Sequence, residues 1–358
     1  MKKIALVIHS LGIGGMERVM SQLANDFTQR ENTEVHLILI GIRREIIYDI
    51  SSSVTVHKPG FEFNNARRTV DTLRTMIFLR NRVKKINPDT VLSFGEMWNN
   101  LVLLSLYGSG YPVYVSDRSQ PDKDLGKLHN HLRRVLYPGA AGYVAQTEVA
   151  KQVCNAKKWN QNIQVISNPV RKIESDEAVK KQNIILTVGR LIKTKHLDQL
   201  IKMFAEIDPK GWRLVIVGGD AKKMNLSTQL QALISELNVE SSVSLEGYQK
   251  NIESYYLKSK IFAFTSSSEG FPNVVGEALS AGLPVVSYDC VAGPSDMIED
   301  GVNGFLVDLF DMEMFKKRLQ ELMSNEDLRA QMSKSATRSM EKFTVDSIAD
   351  KFYEFITP

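Results

Sequence analysis

The sequence predicts an α/β protein built from two doubly wound domains, and three observations carry that prediction. Short apolar runs of strand length alternate with helical patterns along the whole chain. The alternation breaks once, near Asn168-Pro169, where the polar stretch "RKIESDEAVKKQN" follows. With 358 residues, 43% hydrophobic and 24% charged, the chain is long enough to bury two cores. The expected domains are 1–168 and 169–342, with a last helix, 343–358, packing back on the first. Two open sheets of this kind facing each other create a cleft at the carboxyl ends of their strands, where such sheets bind ligands.

The strands are read in order as "KIALVIH", "EVHLILI", "TVLSF", "PVYVS" and "GYVAQ" in the first half. The second half supplies "NIILTVG", "RLVIVGG", "SVSLEG", "KIFAFTS" and "LPVVSYD". Near-continuous apolar runs of this length are what parallel strands covered on both faces require. The start, "MKKIALVIHSLGIGG", meets His9 and Ser10 after only five apolar residues, so it reads as a strand and not as a leader. No apolar run approaches the roughly 18 residues that span a bilayer. At the other end, "VDSIADKFYEFI" carries Ile348, Phe352, Phe355 and Ile356 on one helical side.

Net charge is +4, but it is unevenly placed. Through Asn168 there are 22 basic against 14 acidic residues, and beyond it 23 against 27. Much of the excess lies in 65–86, where Arg67, Arg68, Arg74, Arg80, Arg82, Lys84 and Lys85 face a single acid, Asp71. Val70, Leu73, Met76, Ile77, Leu79 and Val83 give the same segment an apolar side. Such a helix suits an anionic membrane surface or a polyanionic ligand, or else a basic face packed on its own domain. Nucleic acid is disfavoured because the aromatic content of 8% shows no stacking platform interleaved with these charges. Cys154 and Cys290 fall in different halves without metal-like spacing, which fits buried thiols in a reducing cytoplasm.

Candidate chemistry collects at strand ends. The first strand runs into "HSLGIGGMERV", where Gly12 and Gly14 match the first two glycines of a dinucleotide fingerprint but Glu17 stands at the third. NAD is therefore disfavoured, while Gly14-Gly15 could still let backbone approach a phosphate, or form a plain tight turn. In "VGRLIKTK" Arg190 and Lys195 follow a strand directly, so both could neutralise a diphosphate. In "SSSEGFPNVVGEALSAGLPVV" a helix is expected to begin near Pro272, placing Glu269 in the loop before it and Glu277 within it. The first-turn amides, from Asn273 to Val275, are expected to be unpaired at the positive helix end. An acid on each side of an anion site fits a ligand that is anionic in its middle and hydroxylated at both ends, as a sugar nucleotide is; a loop acid and a solvated helical acid are the alternative. Gly247 and Tyr248 could read a base edge or form an ordinary turn, and Gly293, Asp296, Gly301 and Gly304 read as turn residues.

Jointly, "GGMERV", "GRLIKTK", "SEGFPNVVGEALSAGLPVV" with its E-x7-E spacing and "DGVNGFLV" resemble the family-4 glycosyltransferases of the GT-B fold, two Rossmann-like domains across a cleft. The likeness is greatest to bacterial members that extend lipid-linked, capsular or O-antigen oligosaccharides. The resemblance implies a retaining transferase that moves a hexose or N-acetylhexosamine from a UDP-sugar, or a GDP-sugar, without a divalent metal or other cofactor. It places Glu269 at the donor sugar, Arg190 and Lys195 on the diphosphate and Glu277 on the ribose hydroxyls. Gly270, Phe271, Pro272 and Asn273 lie against phosphate and sugar, and Gly14 and Gly15 on the diphosphate side of the first domain. One departure stands out. Many relatives have Glu-His after the strand corresponding to "PVYVS", and here the residues are Asp117-Arg118. Arg118 could bind an acceptor phosphate or the sugar, Asp117 could orient it, or the two could form a salt bridge. The resemblance also assigns the 65–86 segment to an anionic membrane and a lipid-diphosphate acceptor, with the protein peripheral at the inner face of the cytoplasmic membrane.

Two rival readings remain open in the sequence. A glycoside hydrolase could use Glu269 and Glu277 as its acid pair, which must lie roughly 5–9 Å apart across the bond. Free hydrolysis gives no reason for Arg190 and Lys195, and the second rival, a sugar-nucleotide-binding protein without catalysis, is weighed against by intact Glu269, Arg190 and Lys195.

Overall fold

The computed structural model describes residues 1–174, 178–207, 211–221 and 224–358. The charged stretch expected after the domain break falls partly on 175–177, outside the described residues. The chain divides into two compact units, Met1–Pro169 with Val345–Pro358, and Val170–Thr344.

In unit 1 the strands are β1 (Lys2–Ile8), β2 (Thr33–Leu39), β3 (Thr55–His57), β4 (Thr90–Phe94), β5 (Val113–Ser116), β6 (Gly142–Ala145) and β7 (Ile163–Val165). They form one parallel sheet in the order β3-β2-β1-β4-β5-β6-β7. Its helices are α1 (Gly15–Phe27), α2 (Arg68–Ile86), α3 (Glu96–Leu106), α4 (Lys127–Leu136) and α5 (Glu148–Ala156).

Unit 2 holds β8 (Ile184–Val188), β9 (Arg213–Val217), β10 (Val243–Gly247), β11 (Ile261–Phe264), β12 (Val285–Tyr288) and β13 (Gly304–Val307). These are parallel in the order β10-β9-β8-β11-β12-β13. Its helices are α6 (Leu197–Glu206), α7 (Leu226–Glu236), α8 (Glu253–Lys258), α9 (Asn273–Ser280), α10 (Pro294–Met297), α11 (Met312–Ser324) and α12 (Glu326–Ser339). The chain's last helix, α13 (Val345–Ile356), belongs to unit 1.

Every residue of β4, β5, β8, β11 and β12 is buried, as expected for strands covered on both faces. The ten apolar runs read from the sequence correspond to ten of the thirteen strands. Three were not read: β3 and β7 are three-residue edge strands, too short to show a pattern. Gly304, taken as a turn residue, opens β13, where a Cβ would stand 2.4 Å from the Val285 carbonyl oxygen. The glycine is there so that β12 and β13 can pair.

Helix α13 seals unit 1 with aromatic contacts. Phe355 meets Tyr114 at 5.2 Å, Phe352 meets Phe94 at 5.9 Å, and Tyr353 meets Phe27 at 5.5 Å. Ile348, Ala349, Phe352 and Ile356 are fully buried or nearly so. Each large apolar side chain taken out of water in this way stabilises by about 1.5–3 kcal/mol.

Helix α2 turns a different side inward from the one its apolar residues suggest. The buried stripe is Asp71, Thr75, Leu79, Val83 and Ile86, whereas Val70, Leu73 and Ile77 are more than half exposed. Two polar residues lie inside because their bonds are made locally. Asp71 accepts from the Asn64 N–H at 2.9 Å and from Arg74 at 3.1 Å, and the Thr75 hydroxyl donates to the Asp71 carbonyl at 2.7 Å. These donors hold the Asp71 carboxyl below the usual carboxylate range, the Asn64 amide most of all.

Candidate active site

In each sheet the chain winds outward in one direction and then returns to wind in the other. The reversal falls between β1 and β4 in unit 1 and between β8 and β11 in unit 2. The crevice outside the carboxyl ends of such a strand pair is where doubly wound sheets bind ligands.

At the β8/β11 reversal the structure brings together Lys195 and Glu269, which the sequence separates by 74 positions. Lys193–Lys195 form a single 3-10 turn ended by His196 in the left-handed conformation, φ 47°. The end of β11 fastens this turn: the Thr265 hydroxyl donates to the Lys195 carbonyl at 2.7 Å, and the Ser267 N–H donates to that of Thr194 at 2.8 Å. Lys195 Nζ then lies 2.6 Å from Glu269 Oε1, and the Ser266 hydroxyl donates to the same oxygen at 2.6 Å. Both side chains keep about one sixth of their surface, 16% and 17%, so the pair is sheltered but reachable.

Arg190 follows β8 directly, is exposed, and pairs with no acid among the described residues. Its loop is positioned by a backbone-to-backbone approach. A Cβ on Gly218, whose φ is +151°, would stand 1.8 Å from the Gly189 carbonyl oxygen. Gly218→Ala must therefore push the 189–190 loop aside, at a cost of about 1–3 kcal/mol. Thermal denaturation should register that loss.

Helix α9 begins at Asn273 with Pro272 at its cap position and buries Val275, Ala278 and Leu279. Glu277 points inward on the same side, is 5% exposed, and accepts from the Tyr256 hydroxyl at 3.0 Å. It is not a solvated helical acid. The expectation of three open amides in the first turn needs correction: the Asn273 N–H donates to Phe271 at 3.0 Å and the Val275 N–H to Pro272 at 2.9 Å. The tight entry through buried Phe271 and Pro272 closes these turn bonds. Half-buried Gly270 precedes them. Gly293, at φ +103°, packs so closely that a Cβ there would meet Pro272 Cδ at 2.1 Å. Gly247 and Tyr248 lie at the end of β10; Tyr248 is 65% exposed and Gly247 adopts φ +64°.

At the β1/β4 reversal Gly14 exchanges two hydrogen bonds with Tyr48, donating through its N–H at 3.1 Å and accepting through its carbonyl at 2.8 Å. Gly15 opens α1. Beside them His9 stacks on Trp98, ring centroids 5.5 Å apart and 4° from parallel, with its Nε2 3.3 Å from Glu17. Burial lowers the His9 pKa, and Glu17 opposes the shift. Glu96, the first residue of α3, accepts from the Ser119 hydroxyl.

Asp117 and Arg118 point in different directions and do not pair with each other. Asp117 is 6% exposed, lies 3.3 Å from Arg133, and accepts from Tyr137 at 2.6 Å and Asn99 at 3.1 Å. Burial pushes its carboxyl up to about 6, with Glu96 adding to the rise. Arg118 lies over the Phe94 ring at 4.3 Å and donates to Asn168 and to Ser116 Oγ. Burial brings its guanidinium down to about 9. Asp117 is a buried tie within unit 1, whereas Arg118 remains at the strand end near Glu96.

Residues 170–339 match the glycosyl transferases group 1 family. Unit 2 therefore carries a glycosyl transferases group 1 domain, and the chain is a glycosyltransferase. This glycosyltransferase is 26% identical to the amylovoran biosynthesis glycosyltransferase AmsD of Erwinia amylovora, over 99% of this chain and 100% of that one. It is 29% identical, over 95% of each chain, to the N-acetylgalactosamine-N,N'-diacetylbacillosaminyl-diphospho-undecaprenol 4-alpha-N-acetylgalactosaminyltransferase of Campylobacter jejuni. Its fold superimposes on Anabaena HepE, solved in complex with UDP, with TM-score 0.83 and 16% identity over 99% of both chains. The GT-B class read from the sequence is thereby established for this glycosyltransferase.

Sequence reading located the strand-end acids and cations of unit 2 but not His9, Glu17, Glu96 or Trp98 in unit 1, nor Ser266 and Tyr256, which hold the two glutamates. Only the strand order shows that the ends of β1 and β4 are neighbours, and that order is not written in any local run.

Proposed function

We propose that this glycosyltransferase moves a hexose or N-acetylhexosamine from a UDP-sugar to a lipid-diphosphate-linked or polysaccharide-precursor acceptor, with retention and without a resident divalent cation. The observation that carries the reading is the sheltered Lys195–Glu269 pair at the β8/β11 reversal, with exposed Arg190 on the loop after β8. Lys195 and Arg190 supply fixed positive charge to a diphosphate whose negative charge grows as the sugar–oxygen bond breaks. Glu269 is held by Lys195 and Ser266 in position to accept hydrogen bonds from sugar hydroxyls. Glu277, oriented by Tyr256, does the same for ribose. The bond from the anomeric carbon to the phosphate oxygen breaks, the bond to the acceptor oxygen forms, and the acceptor's proton leaves on the departing phosphate. The diphospho-undecaprenol glycan on which the Campylobacter relative acts and the UDP of the HepE complex support these classes of substrate.

No helix among the described residues is long and apolar enough to cross a membrane. The basic face of α2 suits an anionic leaflet, and peripheral attachment at the inner face of the cytoplasmic membrane completes the proposal.

Calorimetric titration with UDP and GDP in excess EDTA tests the site. UDP binding is expected without metal, and Glu277→Ala should weaken it about 10–100-fold, the effect of losing hydrogen bonds to a charged acceptor. Absence of binding by either nucleotide would overturn the reading. NMR of the product's anomeric configuration tests retention.

A further inference from the structure

His196, the residue after Lys195, adopts φ 47° and ψ 42°, in the left-handed region that glycine enters without steric cost. A side chain kept in that region is held there by its surroundings, and strain of this kind collects at functional sites. The imidazole shows what holds it. Its Nε2 lies 2.8 Å from the Ser267 hydroxyl oxygen, 71 positions along the chain. That hydroxyl has the Thr194 carbonyl at 3.4 Å as its own acceptor, so it accepts from the His196 Nε2–H. The ring also meets Phe310, edge to face, with centroids 5.0 Å apart and planes at 83°. Phe310 is itself left-handed, at φ 69°, where a bulky residue is an outlier, and its ring leans on buried Tyr288 at 6.0 Å. Hydrogen bond and ring contact together fix the imidazole in one place.

We propose that His196 is a positioning residue whose imidazole, locked between Ser267 and Phe310, aims the Lys195 ammonium at Glu269 and at the nucleotide's diphosphate. The proposal rests on the role given to Lys195 above. Bonds to the Thr194 and Lys195 carbonyls hold the turn on its leading side, and the His196 ring holds it on the trailing side. The Cα–Cβ bond of Lys195 is thereby left one direction, toward the carboxylate 2.6 Å from its Nζ. A glycine at 196 would adopt the same backbone angles with less strain and would tie nothing. His196→Gly therefore removes the ring while leaving the turn able to form.

The test is calorimetric titration of the intact chain with UDP, for His196→Gly, His196→Gln, Lys195→Ala and the double variant His196→Gly with Lys195→Ala. Lys195→Ala is expected to weaken UDP binding about 10–100-fold, the effect of losing a hydrogen bond between charged groups. His196→Gly should weaken it about five- to tenfold in the parent but less than about twofold once Lys195 is alanine, because the effect passes through that ammonium. His196→Gln, whose amide N–H reaches as far as Nε2–H, should return affinity to within about threefold of the parent. Crystal structures of the same variants read the geometry without nucleotide. The Lys195–Glu269 contact of 2.6 Å should survive in His196→Gln and open beyond about 4 Å, the limit of an ion pair, in His196→Gly. An equal loss of affinity in both backgrounds, no loss at all, or failure of glutamine to restore binding would overturn the proposal. So would an unchanged contact in the His196→Gly crystal. A parent that does not bind UDP, or a Lys195→Ala variant that binds it unchanged, would remove the diphosphate role of Lys195. The crystal distances would then decide by themselves whether His196 positions the ammonium.

Discussion

Lys195→Ala is expected to lower the turnover of sugar transfer by about 10²–10³-fold, the range seen when one preorganised donor to a developing anion is removed. Two effects reinforce each other. The leaving diphosphate loses a fixed charge, and Glu269 loses the partner that sets its position 2.6 Å away. Ser266 then remains at hydrogen-bond distance on that oxygen among the described residues. Lys195→Arg should recover little, since a planar fork cannot replace a compact ammonium in a site closed by the Phe264 ring 4.8 Å below. The assay is kcat with saturating UDP-sugar, beside a melting curve to show that the variant is folded. A kcat within about threefold of the parent would remove the pair from the reaction centre.

The second large effect is on stability. Asp117→Ala leaves Arg133, 3% exposed, without its anion, and takes from Tyr137 its 2.6 Å acceptor and from Asn99 one of its acceptors, the Ser116 carbonyl at 3.0 Å remaining. Breaking a buried pair by removing one partner costs about 3–5 kcal/mol, which corresponds to a fall of roughly 6–20 °C in the melting temperature of unit 1. The same carboxyl also makes unit 1 sensitive to pH. Its pKa of about 6 lies above the ordinary value of 3.8, so between those values the folded form holds more protons than the unfolded chain. Stability from this group is therefore full below about pH 4 and is lost as pH rises through 6. Asp117→Asn should remove that portion of the slope, and melting curves at intervals from pH 4 to 7 will register it.

The sequence made much of this legible, and for identifiable reasons. Fully buried parallel strands announce themselves as uninterrupted apolar runs, and Gly189-Arg190 or Ser268-Glu269 at their ends are legible because glycine and charge break that apolar pattern. Helix α2 shows the opposite case. Its buried stripe contains Asp71 and Thr75 beside Leu79, Val83 and Ile86, and its exposed one contains Val70, Leu73 and Ile77, so reading apolar as inward holds for the C-terminal half of the helix and fails for the rest. That departure leaves an apolar stripe on the surface. The closed amides of Asn273 and Val275 were illegible for another reason: turn bonds depend on dihedral angles that Pro272 permits but does not dictate.

Helix α13 has a temporal consequence. Unit 1 is finished by Phe352 and Phe355 against Phe94 and Tyr114, yet about half the chain is made between Pro169 and that helix. At synthesis rates of about 5–20 residues per second, some 175 further residues take roughly 10–35 s to emerge. Throughout that interval the nascent first unit presents an unsealed aromatic face to the cell, while unit 2 has all its own strands in one continuous stretch. The ribosome therefore delivers a sequential order in which the unit begun second can be completed first.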